Sequence, residues 1–254
     1  MTEQEKIKKA LSGLHASGDT LTEVLNMTTR MGNEASCKKR IVGKRAAVFA
    51  VAAVLALALG VGALAYSGII TSWSGFSSLA DAYTSLPTAQ QAVRDGGYAP
   101  VLIGSFENGY AFESGLVMDN ALEEAVGGPA VERFKSFEFT YEKDGDSVTF
   151  SQMRYESELD YAGEIIDTVD GTGIRYYSYR QRFVAPDYQL TPEEQAEADA
   201  GGIVFSYGIE DPGVHTVQCV TWETGDMHYA LTQIDGALRQ DALVDMAAEV
   251  IAHS

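Results

Sequence analysis

The chain has 254 residues with 36 acidic and 18 basic side chains, and its formal net charge at pH 7 is −18. The charge is divided unevenly, because residues 1–66 carry a net charge of +4 and residues 67–254 carry −22. Such an acidic C-terminal part excludes binding to nucleic acid through the phosphates. Its 188 residues suffice for one domain with a substantial hydrophobic core, or for two small domains.

Residues 1–45 are predicted to form a cytoplasmic helical segment. Apolar side chains at helical spacing, with a capping box at Thr20–Glu23, indicate two short helices within residues 1–36. Neither is long enough to be stable alone, so residues 1–36 either dock onto a cytoplasmic protein partner or form a passive tail. A basic run next to the membrane should attract anionic lipid. It consists of Lys38, Lys39, Arg40, Lys44 and Arg45.

Residues 46–66 contain no charged side chain and are predicted to form a transmembrane helix. At about 1.5 Å per residue, these 21 residues span the roughly 30 Å hydrocarbon core of a bilayer. The basic run precedes the span, and no Lys or Arg follows it before Arg94, so the positive-inside rule places residues 67–254 outside the cell. The alternative is a signal peptide cleaved after Ala65, but its leader and apolar core would both be unusually long.

Small residues recur at every fourth position of the span, at Ala52, Ala56 and Gly60. This spacing allows two helices to approach closely, so a homodimer formed through the transmembrane helix is a further possibility. The two cysteines, Cys37 and Cys219, then lie on opposite sides of the membrane and cannot pair within one chain. Cys219 is predicted to be a small core residue.

Residues 67–97 are predicted to be a connector with short helices at Leu79–Tyr83 and Ala89–Arg94. From Tyr98 onward the hydrophobic period changes from helical to alternating, so residues 98–254 are predicted to form an extracytoplasmic domain. The predicted strands are Tyr98–Phe106, Tyr110–Met118, Phe134–Glu142, Ser147–Tyr155, Gly173–Val184, Ile203–Ile209, Val214–Trp222 and Met227–Ile234.

Turns and helix signals organise these strands. Asn108-Gly109 and Asp144-Gly145 are typical of hairpin turns. Thr191 followed by Pro192 and Glu194 indicates the start of a helix, and an amphipathic helix closes the chain. We therefore predict an α+β fold in which the C-terminal helix packs on one face of a curved antiparallel sheet.

The sequence contains no P-loop, no G-x-S-x-G elbow, no H-E-x-x-H motif and no complete EF-hand loop. We therefore predict no catalytic residue, no metal, no cofactor and no enzyme activity. His215 and His228 belong to one predicted hairpin centred near Thr224-Gly225. This pairing places His228 opposite Thr221 and His215 opposite Ile234, too far apart for a shared metal.

One predicted strand has the character of a binding site. Within residues 174–183, three of the nine cations of residues 67–254 alternate with aromatic side chains. The candidate residues are Arg175, Tyr177, Tyr179, Arg180 and Arg182. Arg175, Tyr177 and Tyr179 are predicted on one face, and Arg180 and Arg182 on the other. Such a strand suits an acidic glycan or a lipid head group, but the favoured alternative is that the cations neutralise acids on neighbouring strands.

Several short motifs resemble a family of uncharacterised Gram-positive single-pass membrane proteins. The motifs are the basic run and span, Phe106–Phe112, Phe139–Gly145, Trp222, His228–Leu231 and Leu243–Ala247. The resemblance covers residues 38–254. The extracytoplasmic domain of that family is similar in outline to the curved sheets of lipoprotein carriers and of periplasmic sigma-factor regulators. Some proteins with such an architecture are anti-sigma factors.

Two functions follow as expectations. The first is a non-enzymatic single-pass membrane protein with an extracytoplasmic sensing domain, which signals in an anti-sigma-like manner through contact of residues 1–36 with a sigma factor. The alternative is a membrane-tethered carrier or binding domain for a lipid or a glycan.

Overall fold

The computed structural model describes residues 72–77, 81–123, 129–156, 163–185, 188–207 and 211–253. The predicted cytoplasmic segment, the basic run, the span at residues 46–66 and Cys37 lie outside these ranges. Among the described residues, no helix combines the length and the apolar character needed to cross a membrane.

The described part of the chain contains nine strands and three helices. The strands are β1 (Ser72–Phe76), β2 (Ala111–Glu123), β3 (Ala130–Lys143), β4 (Asp146–Met153), β5 (Glu164–Val169), β6 (Thr172–Val184), β7 (Val204–Tyr207), β8 (Asp211–Thr224) and β9 (Met227–Ile234). The helices are α1 (Ala89–Gly96), α2 (Pro192–Asp199) and α3 (Gln240–Ala252).

All nine strands belong to one sheet. Eight of them pair antiparallel in the order β1-β2-β3-β4-β9-β8-β6-β5. Strand β7 pairs in parallel with the C-terminal end of β6, from Gln181 to Val184, while β5 pairs with its N-terminal end. The predicted α+β class with an antiparallel sheet is confirmed.

The hairpin β3–β4 forms where the sequence predicts it. Asp144 and Gly145 have φ angles of 52° and 85°, the positive values that a type I′ turn requires. Phe137, Phe139 and Tyr141 lie on one face of β3 and are completely buried. A two-residue turn therefore sets the register, and that register brings the three rings into the core.

The predicted strand Tyr98–Phe106 is wrong, because this segment crosses the sheet as an irregular chain. The side chain of Gln152 in β4 takes the place of a neighbouring strand: it accepts from the N–H of Val101 at 2.7 Å and donates to the carbonyl of Val101 at 2.9 Å. Pro100 has no N–H to give to a sheet ladder. The turn at Asn108-Gly109 does form, and it leads into β2, which pairs with β3.

Part of the predicted connector is integrated into the sheet. Strand β1 pairs with the C-terminal half of β2, from Ser72 opposite Glu123 to Phe76 opposite Asp119. Helix α1 begins with a capping box at Thr88 and ends at Gly97, which has a φ angle of 86°. Its Ala92 is buried in the main core. The sheet domain therefore begins by Ser72, earlier than the predicted boundary at residue 98.

The C-terminal helix packs on one face of the sheet, as predicted. Its side chains Leu243, Met246, Ala247 and Val250 are completely buried in the main core. Beneath them the rings of Phe150, Trp222 and Tyr229 are stacked, with centroids 5.3 to 6.1 Å apart. Buried aromatic area of this kind is the largest single contribution to such a core.

Gly96→Ala is expected to destabilise the domain by about 2 kcal/mol, even though alanine favours a helix. An added Cβ at position 96 would lie 2.3 Å from Cζ of Phe137, a completely buried ring that has no room to move. Gly104→Ala is the matched control, because nothing lies within 4 Å of its Cβ position. Urea unfolding followed by tryptophan fluorescence measures both variants, and equal midpoints would contradict the expectation.

Candidate functional site

The predicted site strand is β6, and its two faces meet different surroundings. Ile174 and Tyr176 point to the face covered by α3 and join the main core. Arg180 and Arg182 lie further along that face and contact helix α2. Arg180 Nη1 is 3.1 Å from Glu197 Oε1, and Arg182 Nη1 is 2.7 Å from Glu194 Oε1.

Helix α2 holds these two acids in place. Its capping box at Thr191 is as predicted: the N–H of Thr191 donates to Glu194, and the N–H of Glu194 donates to Thr191 Oγ1. The hydrogen bond from the Thr191 N–H to the carboxylate, together with one from the Tyr188 hydroxyl, lowers the pKa of Glu194. Arg182 also lies 5.5 Å above the ring of Tyr188. The two arginines therefore neutralise acidic side chains on a helix, whereas the sequence analysis expected these acids on neighbouring strands.

Tyr177 and Tyr179 share the opposite face of β6, as predicted. Their rings are stacked, with centroids 5.9 Å apart and planes at 17°. Tyr177 lies directly opposite Cys219 of β8. Cys219 is completely buried, as the sequence predicts for a core residue, and burial raises the pKa of its thiol to about 11.

Arg175 lies on the same face as these tyrosines and differs from the other two arginines. Within the described residues, no carboxylate oxygen lies within 4.0 Å of its guanidinium nitrogens. Its one hydrogen bond there is long, 3.4 Å from Nη1 to the carbonyl of Gly163. Arg175 borders a slot of about 170 Å³. The slot is lined by Ile165, Gly173, Arg175, Thr221, Trp222 and Glu223.

Across the central strands, the sheet face that carries Arg175 is buried and rich in small polar side chains. One row crosses six strands in direct register: Ser114, Thr140, Thr149, Thr232, Cys219 and Tyr177. All except Tyr177 are less than 7 % exposed.

A buried carboxyl group lies in the neighbouring row, and the sequence does not single it out. Glu138 is 1 % exposed, and its carboxylate accepts from Ser136 Oγ at 2.9 Å and from the Ser151 hydroxyl. Asn120 donates to Ser136 Oγ at 3.0 Å. Desolvation raises the pKa of Glu138 to about 7, against the lowering effect of the two serines. The feature of the sequence that could have indicated its burial is that its cross-strand neighbours, Leu116 and Ser151, are uncharged, which is unusual for a solvated strand face.

The two strand histidines occupy separate places, but not those predicted. His228 lies opposite Glu223, two residues beyond the predicted Thr221, and its Nδ1 is 3.0 Å from Glu223 Oε1. His215 pairs with Gln181 of β6. The register differs because the β8–β9 turn consists of Gly225 and Asp226, one residue later than the predicted centre. Among the described residues, no three His, Cys, Asp or Glu side chains are grouped so that they could hold a metal ion.

No protein-family model matches the chain, and neither the curated proteins nor the solved structures include a significant match to it.

Proposed function

We propose that the chain is a non-enzymatic single-pass membrane protein whose C-terminal domain binds a ligand outside the cell. The supporting observation is the short distance along the chain between the apolar stretch and the folded domain. The stretch ends at Tyr66, and β1 begins at Ser72, where it pairs with β2. Five intervening residues, extended at about 3.4 Å each, hold the edge of the sheet within roughly 20 Å of the bilayer.

Charge supports the same orientation. The domain after the span carries a net charge of −22 and the part before it carries +4. Lys and Arg next to a span are retained in the cytoplasm, whereas a large acidic domain is translocated largely regardless of its own charge. The sheet domain accordingly lies on the outer side, and residues 1–45 lie in the cytoplasm.

Protease added to intact cells should remove a C-terminal tag and spare an N-terminal one. Replacing the five cations of the basic run (Lys38, Lys39, Arg40, Lys44 and Arg45) by glutamine should make part of the population insert the other way round. The matched control replaces Lys6, Lys8 and Lys9, which lie more than 35 residues before the span and should leave orientation unchanged. A C-terminal tag that is protected until the cells are lysed would contradict the proposal.

We further propose that residues 1–36 carry the signal to a cytoplasmic partner, of which a sigma factor is the expected example. The support is the pair of short amphipathic segments, neither of which is stable without a partner. Residues 1–45 as bait should capture one defined protein, and replacing Ile7, Leu11 and Leu14 by serine should abolish the capture. If the native and the serine baits recover the same proteins, the signalling half of the proposal is wrong.

A further inference from the structure

The slot beside Arg175 has walls of opposite charge. Arg175 lies opposite Thr221, and Glu223 follows Thr221 by two residues on β8, so the two charged residues are diagonal neighbours. Diagonal neighbours have Cα atoms about 7–8 Å apart, within reach of long side chains. Among the described ion pairs, Arg175 and Glu223 are nevertheless not joined.

The carboxylate of Glu223 is oriented by another group. His228 Nδ1 lies 3.0 Å from Glu223 Oε1, and the His228 ring is stacked on Tyr155 with centroids 4.0 Å apart. The Glu223 side chain is about half exposed. It therefore offers its remaining acceptor capacity to a ligand at the mouth of the slot.

The inner side of the slot is polar and the outer side is apolar. Thr221 is 3 % exposed, and its hydroxyl has no hydrogen-bond partner among the described residues. Ile165 is 56 % exposed on the edge strand β5. Ile165 packs closely over Gly173, where a Cβ would lie 3.2 Å from Cδ1 of Ile165.

Size and charge together restrict the ligand. A volume of about 170 Å³ holds the equivalent of about six water molecules, and it is well below the roughly 300 Å³ at which pockets for drug-sized ligands begin. An acyl chain is too large. A simple anion would be repelled by Glu223 and a simple cation by Arg175, whereas a small molecule that carries both charges matches both walls.

We propose that this slot binds a small zwitterion, namely a free α-amino acid with a small apolar side chain. The carboxylate would lie on the Arg175 guanidinium, the ammonium group on Glu223, and the side chain against Ile165. The inference rests on the proposed function, because it names the ligand class of the outer domain.

The test uses the full chain in mild detergent and titrates it with alanine and with valine by calorimetry. Isovalerate and isobutylamine are the matched probes, because each keeps the branched side chain of valine and only one of its charges. At least one of the two amino acids should bind. Each half-ligand should bind at least about tenfold more weakly, since it loses one charge-assisted contact. Methyl glucoside represents an uncharged polyol and should not bind.

Arg175→Gln and Glu223→Gln should each weaken amino-acid binding by about tenfold or more. Arg180→Gln is the control, because Arg180 is paired with Glu197 and lies on the other face of β6. Absence of amino-acid binding, equal binding of isovalerate, or preferred binding of methyl glucoside would overturn the inference. Since binding is measured in detergent, its failure is distinct from a failure of the protease experiment, which tests orientation alone.

Discussion

As the pH rises from 4.5 to 7, the titration of Glu138 is expected to lower the free energy of unfolding of the sheet domain by about 3 kcal/mol. This follows from the raised pKa, since a difference of one pKa unit corresponds to about 1.4 kcal/mol. Burial raises the pKa of this carboxyl group to about 7, while its ordinary value is 4.5. The folded domain therefore holds a proton in this window that the unfolded chain has released, and rising pH favours the unfolded chain. The stabilisation is complete below pH 4.5 and is lost as the pH passes 7.

Glu138→Gln should remove this pH dependence, because glutamine does not titrate, while its amide oxygen and NH2 group can still hydrogen-bond the hydroxyls of Ser136 and Ser151. The measurement is urea unfolding of the full chain in detergent at several pH values, followed by the fluorescence of its two tryptophans, Trp73 and the buried Trp222. Glu113→Gln, at an exposed position of β2, is the control and should follow the wild type. If the Glu138→Gln and wild-type curves run parallel across the window, Glu138 does not titrate as described.

Asp146→Ala is expected to destabilise the domain by about 3 kcal/mol or more, because one carboxylate joins three parts of the chain. Its Oδ2 accepts from the Tyr110 hydroxyl at 2.7 Å, from Gln233 Nε2 at 3.0 Å and from the N–H of Ala237 at 3.0 Å. Tyr110 and Gln233 are almost completely buried, so the substitution leaves their polar groups without a partner.

The control is Asp226→Ala at the turn of the other long hairpin. Asp226 is paired with Arg154, both side chains are more than half exposed, and such a surface pair contributes less than about 1 kcal/mol. Chemical unfolding compares the two variants. Equal losses of stability would show that Asp146 acts as an ordinary turn residue and not as the junction of the three segments.

Local signals in the sequence were sufficient where a short-range geometry decides the structure. Asp144-Gly145 predicts a turn with positive φ angles, and the β3–β4 hairpin forms there. Thr191 and Glu194 predict a capping box, and α2 begins with one. The alternation of Phe137, Phe139 and Tyr141 predicts a buried face, because successive side chains of a strand point to opposite sides.

The residues that pair with a segment over a long distance along the chain could not be predicted from such local signals. The segment 98–106 has the alternation of a strand, but the backbone of its Val101 pairs with the side chain of Gln152, which lies about 50 residues away in β4. Only the end of the segment bridges to β2, at Ser105 opposite Ala111. The β8–β9 register differs by two residues because the turn lies one position later than predicted. Nothing local distinguishes the two turns, so the pairing depends on which side chains the core accepts.

The same distinction between local signals and long-range partners applies to the candidate site. The sequence by itself determined that β6 is a strand with three arginines among aromatics, since this follows from composition and from the period of two. Only the tertiary structure decided that α2 supplies partners for Arg180 and Arg182, and that Arg175 faces a slot beside Glu223. It also decided that Glu138 is buried. The exposure of a polar strand face depends on what packs against it, and this cannot be predicted from the sequence of the strand alone.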